Sequence, residues 1–130
     1  MIRSVIDVRG YWSIVLFVDI DYDRFDIIEN ALTDILAPIS VIDEIYNRIA
    51  YKLDSGVTYS NSDFRTSVIC INKASDREEL INTISHEADH VQDAICSYYD
   101  VPLNSEPAAY LIGYLVGKIY YHSRRLFCSY

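Results

Sequence analysis

The stretch Ser75-Asp76-Arg77-Glu78-Glu79-Leu80-Ile81-Asn82-Thr83-Ile84-Ser85-His86-Glu87-Ala88-Asp89-His90-Val91-Gln92-Asp93-Ala94-Ile95-Cys96 decides how the rest of the chain is read. A serine at 75 followed by a glutamate at 78 has the capping-box pattern, so a helix is expected to begin there. Its apolar period carries it to about Tyr99, with Pro102 just beyond its end. With His86 at 0° on a wheel of about 100° per residue, Ile84, Ala88, Val91 and Ile95 cluster near ~140–200°. His90 falls near ~40° and Asp93 near ~−20°, on the opposite side. A core stripe and a polar face therefore separate cleanly on one helix.

His86 and His90 stand one helical turn apart, a spacing at which two imidazoles can share a zinc ion, and Glu87 between them reaches a water on that metal. An ordinary helix with two chance histidines would show the same apolar stripe, so a third ligand is the next question. Glu106 opens the following helix after a short loop. Ala109, Gly113 and Gly117 share its side of that helix, while Leu111, Leu115 and Ile119 take the other. A stripe of small residues permits close approach of two helix backbones. Two glycines in mid-helix each cost about 1 kcal/mol relative to alanine, which calls for a packing reason. On this reading the stripe carries Glu106 up to the histidine pair as the third metal ligand. The alternative is that Glu106 is a solvated first-turn acid favoured by the helix dipole.

Outward from this segment, the chain reads as two hairpins and two helix pairs. Ile2, Ser4, Ile6 and Val8 alternate with Arg3 and Asp7, an alternation that Val5 interrupts. Arg9-Gly10 offers a turn, and Tyr11 to Val18 is rich in β-branched and aromatic residues. From Asp23, a reasonable cap, Phe25, Ile28, Leu32, Ile35 and Leu36 take helical spacing up to Pro38. A second helix is expected from Ser40, with Ile42, Ile45, Tyr46, Ile49 and Leu53 on one face and Gly56 as its stop. Both N-terminal helices read as scaffold. Val57 to Tyr59 and Phe64 to Ile71 form a second hairpin about Ser60-Asn61-Ser62-Asp63. Val68-Ile69-Cys70-Ile71 is continuously apolar, as in a strand covered on both faces. Ser105 caps the last helix, Pro107 sits in its first turn, and the helix runs to about His122. The order ββααββαα predicts an α+β domain over residues 1–130, with a small, mostly antiparallel sheet and about four helices.

Composition narrows the class. The chain has 130 residues, 51% of them hydrophobic, enough for one packed core. Its 12 tyrosines suit half-buried positions. A net charge of −8 would be repelled by a phosphate backbone, so no nucleic-acid partner is expected. Three cysteines, Cys70, Cys96 and Cys128, form no close pair and read as reduced thiols in a cytoplasm. No signal peptide is expected. Ile14 to Val18 is far shorter than the ~20 residues of a membrane span, so no membrane partner is expected either.

His86-Glu87-x-x-His90 followed by Glu106 at the head of the next helix resembles the gluzincin pattern of zinc metallopeptidases. It is most similar to the small single-domain zincin-like proteins of phages and mobile elements. There the second segment often reads as a glutamate before an alanine-tyrosine-rich stretch, as in Ser105-Glu106-Pro107-Ala108-Ala109-Tyr110. The resemblance covers residues 64–120. It implies a zincin-like fold, Zn²⁺ held by His86, His90 and Glu106, Glu87 as general base, and a peptide or protein as substrate. It also implies that the strand Thr66 to Ile71 pairs with an extended substrate. The metzincin variant is excluded, because Asp93 and Cys96 stand where it needs glycine and histidine.

Two neutral imidazoles and a carboxylate would leave a fourth position open to water, as in catalytic sites. The expected function is zinc-dependent hydrolysis of a peptide bond. A non-catalytic binding or assembly protein on the same scaffold is the competing reading, and an amidase acting on a small molecule or cell-wall peptide is a third. Asp93 is either a partner for a ligand imidazole or a solvated acid. Cys70 and Cys96 read as packed thiols and His122 as a tail residue. Tyr98, Tyr99, Tyr110, Tyr114 and His122 are all open candidates for stabilising the oxyanion.

Overall fold

The computed structural model describes residues 1–51 and 55–124. Leu53, expected on the second helix, and Cys128 lie outside the described residues. Strands β1 (Ile2–Val8) and β2 (Trp12–Val18) form the first hairpin. Arg9 and Gly10 turn it with φ of 51° and 81°, a left-handed pair suited to a tight hairpin. A single 3-10 turn, Tyr22–Arg24, leads into α1 (Phe25–Asp34), followed by α2 (Ile39–Ala50). Strands β3 (Gly56–Asn61) and β4 (Thr66–Ile71) form the second hairpin, and α3 (Arg77–Tyr99) and α4 (Glu106–Ser123) close the chain. The described residues form an α+β fold with four α-helices. The first hairpin pairs antiparallel, as does the second, but β4 lies parallel to β2, giving a mixed sheet in the order β1-β2-β4-β3. α1 and α2 cover one face of the sheet and lead into β3, which runs opposite to β2; the β3–β4 hairpin then reverses the chain, so that β4 lies parallel to β2.

Strand alternation assigns the two faces. Trp12, Ile14, Leu16 and Val18 of β2, with Ile69 and Ile71 of β4, pack beneath α3 and α4. Phe17, Val68 and Cys70 point the other way and pack with Phe25, Ile28 and Leu32 of α1 and Ile42, Ile45 and Ile49 of α2. Burial of the run Val68–Ile71 on both faces matches its unbroken apolar sequence. Trp12 donates its indole N–H to the buried Ser67 hydroxyl at 3.0 Å, which satisfies the one polar atom of the ring. Among the described residues no helix is long and apolar enough to cross a membrane.

Several helix ends differ from the sequence reading by a residue or more. The side chain capping α3 belongs to Asp76, whose Oδ1 accepts from the Glu79 amide at 2.8 Å; Ser75 bonds Glu79 instead. Asp76 and Glu79 repeat the capping-box spacing one residue later, which the sequence could not tell apart. Asp23 lies inside the 3-10 turn and caps nothing. Pro38, not Ser40, occupies the cap position of α2, which ends at Ala50, and Gly56 opens β3 instead of stopping a helix. Ser105 caps α4 as expected.

Candidate active site

Helix α3 lies over the β4–β3 end of the sheet and α4 over the β1 end, side by side on one face. The stripe Ile84, Ala88, Val91 and Ile95 is fully buried, so the wheel reading of α3 holds. Its polar face therefore emerges at the β3 border, where a cleft of about 380 Å³ is lined by His86, Glu87, His90, Thr58, Ser60 and Arg48 among others. A second hollow of about 240 Å³ continues the cleft past His86 and Glu87 towards Asn82 and Ser55. The two hollows share Gly56, His86 and Glu87 in their lining.

The histidine pair converges. His86 Nε2 and His90 Nε2 are 3.3 Å apart, with ring centroids 4.9 Å apart and planes at 86°. Two nitrogens bound to one tetrahedral zinc at about 2.0–2.1 Å are separated by about 3.3–3.4 Å, so the pair fits two corners of such a site. Unlike the exposed His86 and His90, Glu87 is only 2% exposed. Its Oε1 accepts from Thr58 Oγ1 at 2.9 Å, which anchors the carboxylate between the helix and β3. Burying a carboxylate carries a desolvation cost that fold stability alone does not require. Space for it exists because β3 has glycine at Gly56: a Cβ there would lie 3.0 Å from Glu87 Cγ and 3.0 Å from Thr83 Cγ2. Burial, with the nearby Glu87 carboxylate as the lesser cause, pushes the Cys70 thiol far above the ordinary range.

Glu106, expected as the third ligand, is the first residue of α4. The buried residues of α4 are Ala108, Leu115, Ile119 and Ser123, so its packed side is the one opposite the glycines. Gly113 and Gly117 face open space, with nothing within 4 Å of an added Cβ, and therefore do not mediate packing against α3. Glu106 shares their phase and is exposed. Gln92, on the flank of α3 facing α4, donates to the Ala108 carbonyl at 2.7 Å. The histidines occupy the other flank, against β3. Among the described residues no three His, Cys, Asp or Glu side chains are grouped to hold a metal, so the structure does not unite Glu106 with His86 and His90. The larger apolar gain from burying Leu115 and Ile119, and not close approach through the glycines, decides the rotation of α4.

Asp93 is exposed on α3, while Cys70 and Cys96 are buried free thiols, as their sequence settings indicated. Strand β4 pairs on both edges, with β2 and with β3. It has no edge left for a substrate, and β3 forms the sheet border beside the cleft. Thr58, Gly56, Ser60 and Arg48 were not singled out from sequence. The alternation Gly56, Thr58, Ser60 was the available signal, since it gives β3 one small, polar face. No family model matches the chain, and neither a curated protein nor a solved structure is significantly similar to it.

Proposed function

We propose that this chain is a zinc-dependent hydrolase that cleaves a peptide bond in an extended substrate, using a zincin-like, gluzincin-type centre. The observation that carries the reading is the buried Glu87 beside two imidazole nitrogens converging at 3.3 Å. His86 and His90 hold the metal, and no described carboxylate completes the set. Bound zinc supplies Lewis acidity towards a carbonyl and an acidified water. Glu87 accepts the proton of the attacking water and returns it to the departing nitrogen. Thr58 keeps one carboxylate oxygen fixed, so that the other addresses the cleft. The free border of β3 orients an extended chain by strand addition, and the two hollows beside Glu87 give that chain room. The free thiols Cys70 and Cys96 are consistent with a cytoplasmic setting.

One observation favours a second reading, a binding or assembly protein with a vestigial metal site: Glu106 faces solvent away from the histidines. Metal content by mass spectrometry on wild type and His86→Ala, followed by titration with a zinc-chelating hydroxamate, separates the two. One zinc per wild-type chain, lost in the variant, with hydroxamate binding to the loaded protein, supports the hydrolase. Glu87→Gln should then retain zinc and lose turnover. A folded wild type that takes up no zinc on reconstitution and binds no hydroxamate moves the binding-protein reading to the front.

A further inference from the structure

The sequence left five side chains open as stabilisers of the oxyanion, and the fold engages all five elsewhere. Tyr98 and Tyr99 pack edge-on against Trp12, and Tyr99 donates its hydroxyl to the Tyr11 carbonyl at 2.9 Å. Tyr114 turns its hydroxyl to the Asp7 carbonyl, Tyr110 lines a hollow beside Arg9 and Tyr11, and His122 stands against the Tyr121 ring. None of the five lines the cleft or the hollow that adjoins it. Among the described residues, one cationic side chain besides the motif histidines does line the cleft: Arg48 of α2. Helix α2 packs on the sheet face opposite to α3, so Arg48 reaches the cleft past the border of β3, from the side across from the histidines. Its Nη2 donates to Glu44 Oε1 at 2.9 Å, one turn earlier on the same helix, and that bond aims the planar guanidinium. The polar side chains of β3 in the cleft are already committed: Thr58 donates to Glu87, and Ser60 is paired with Ser67 at 2.6 Å.

We infer that Arg48 is a catalytic residue of the proposed hydrolysis, donating an N–H to the substrate carbonyl oxygen as it becomes an oxyanion. The inference rests on the hydrolase reading above. An extended chain added along β3 has the histidines on one side and the guanidinium on the other. A guanidinium carries five N–H donors, so a bond to Glu44 and a bond to substrate are compatible. The water oxygen bonds to the carbonyl carbon as its proton passes to Glu87, and the π pair moves onto the carbonyl oxygen, where Arg48 meets the charge. When that pair returns, the C–N bond breaks and the nitrogen departs with the proton that Glu87 held. A fixed donor aimed at developing charge favours the transition state over the ground state. Charge-assisted bonds are about twice as strong as neutral ones, which sets Arg48 apart from the amide of Asn82 in the adjoining hollow.

Calorimetric titration of the zinc-loaded full chain with two probes tests this. One is the phosphinic analogue of alanyl-alanine, whose P–O⁻ reproduces the tetrahedral oxyanion. The other is acetohydroxamate, a planar metal chelator with no tetrahedral centre. The Glu44 pair is exposed and adds little to stability, so variants at Arg48 fold. Arg48→Gln should weaken the phosphinate about 10–100-fold and the hydroxamate less than about threefold, with zinc content unchanged. Arg48→Lys, which keeps the charge and loses the fork, should recover part of that loss. Hydroxamate binding together with a phosphinate that fails to bind, or binds wild type and Arg48→Gln alike, overturns the inference alone. So does an equal loss for both probes, which reports a general disturbance of the cleft. A zinc-loaded wild type that binds neither probe overturns the hydrolase reading, and the inference with it.

Discussion

Gly56→Ala tests the link between the sheet and the candidate centre. A Cβ at this position lies 3.0 Å from Glu87 Cγ, 3.0 Å from Thr83 Cγ2 and 3.1 Å from the Cys70 carbonyl oxygen. Ordinary carbon contacts begin at about 3.5 Å, so the two side-chain carbons are overlapped by about half an ångström and the carbonyl oxygen by less. Two belong to buried side chains of α3, and the third is backbone of the paired strand β4, which cannot rotate away. Overpacking of this kind costs about 1–3 kcal/mol. Against it stands a gain of about 0.4–1 kcal/mol from the reduced freedom of the unfolded chain. The overlap wins, with a net loss of about 1 kcal/mol or more. For a domain of this size that lowers Tm by about 3–6 °C per kcal/mol, readable by calorimetry. The same substitution at Gly113, where nothing lies within 4 Å, should stabilise by about 1 kcal/mol. The carboxylate of Glu87 is displaced in Gly56→Ala, so hydroxamate affinity should fall while zinc content holds. An unchanged or raised Tm in Gly56→Ala would refute the close approach of α3 to β3 from which the site is argued.

Ser67→Ala removes the buried acceptor of the Trp12 indole N–H and the 2.6 Å partner of the Ser60 hydroxyl. It should lower the free energy of unfolding by about 1–3 kcal/mol in urea titrations; a change below a few tenths would show that the indole finds another partner. Desolvation raises the thiol pKa of both Cys70 and Cys96 in the fold. The protonated thiol is thus favoured by folding, and its contribution is complete below the unfolded pKa of about 8.5. It is lost as pH rises, at about 1.4 kcal/mol per pH unit for each thiol still protonated. Urea midpoints should fall between pH 8.5 and 10.5, and replacing Cys70 by alanine should flatten the slope. Glu106→Gln should leave zinc stoichiometry and affinity as in wild type, whereas a large loss of affinity would restore this residue to the metal.

Much of the architecture was legible in the sequence because it depends on local periodicity. The alternation in Ile2–Val8, the 3.6-residue stripe Ile84, Ala88, Val91 and Ile95, and the Arg9-Gly10 turn each report a preference satisfied within a few residues. The element order and the separation of the histidine face from the core face of α3 follow from those preferences alone. The convergence of His86 and His90 is equally local, being fixed by one turn of a helix.

What the sequence left undetermined involves the placement of one element against another. The helical wheel gave α4 two opposed sides but not the one that α3 would cover; burial of Leu115 and Ile119 settled the rotation and turned Glu106 and both glycines to solvent. The order of strands was also beyond local signals. Pairing β4 with β2 placed β3 at the border, and only there do Gly56 and Thr58 meet Glu87. Periodicity tells a residue which face it occupies, while apolar area shared between distant segments decides what that face meets. The chain's own sequence therefore determined the pair of imidazoles and the acid between them, and the tertiary packing determined their surroundings.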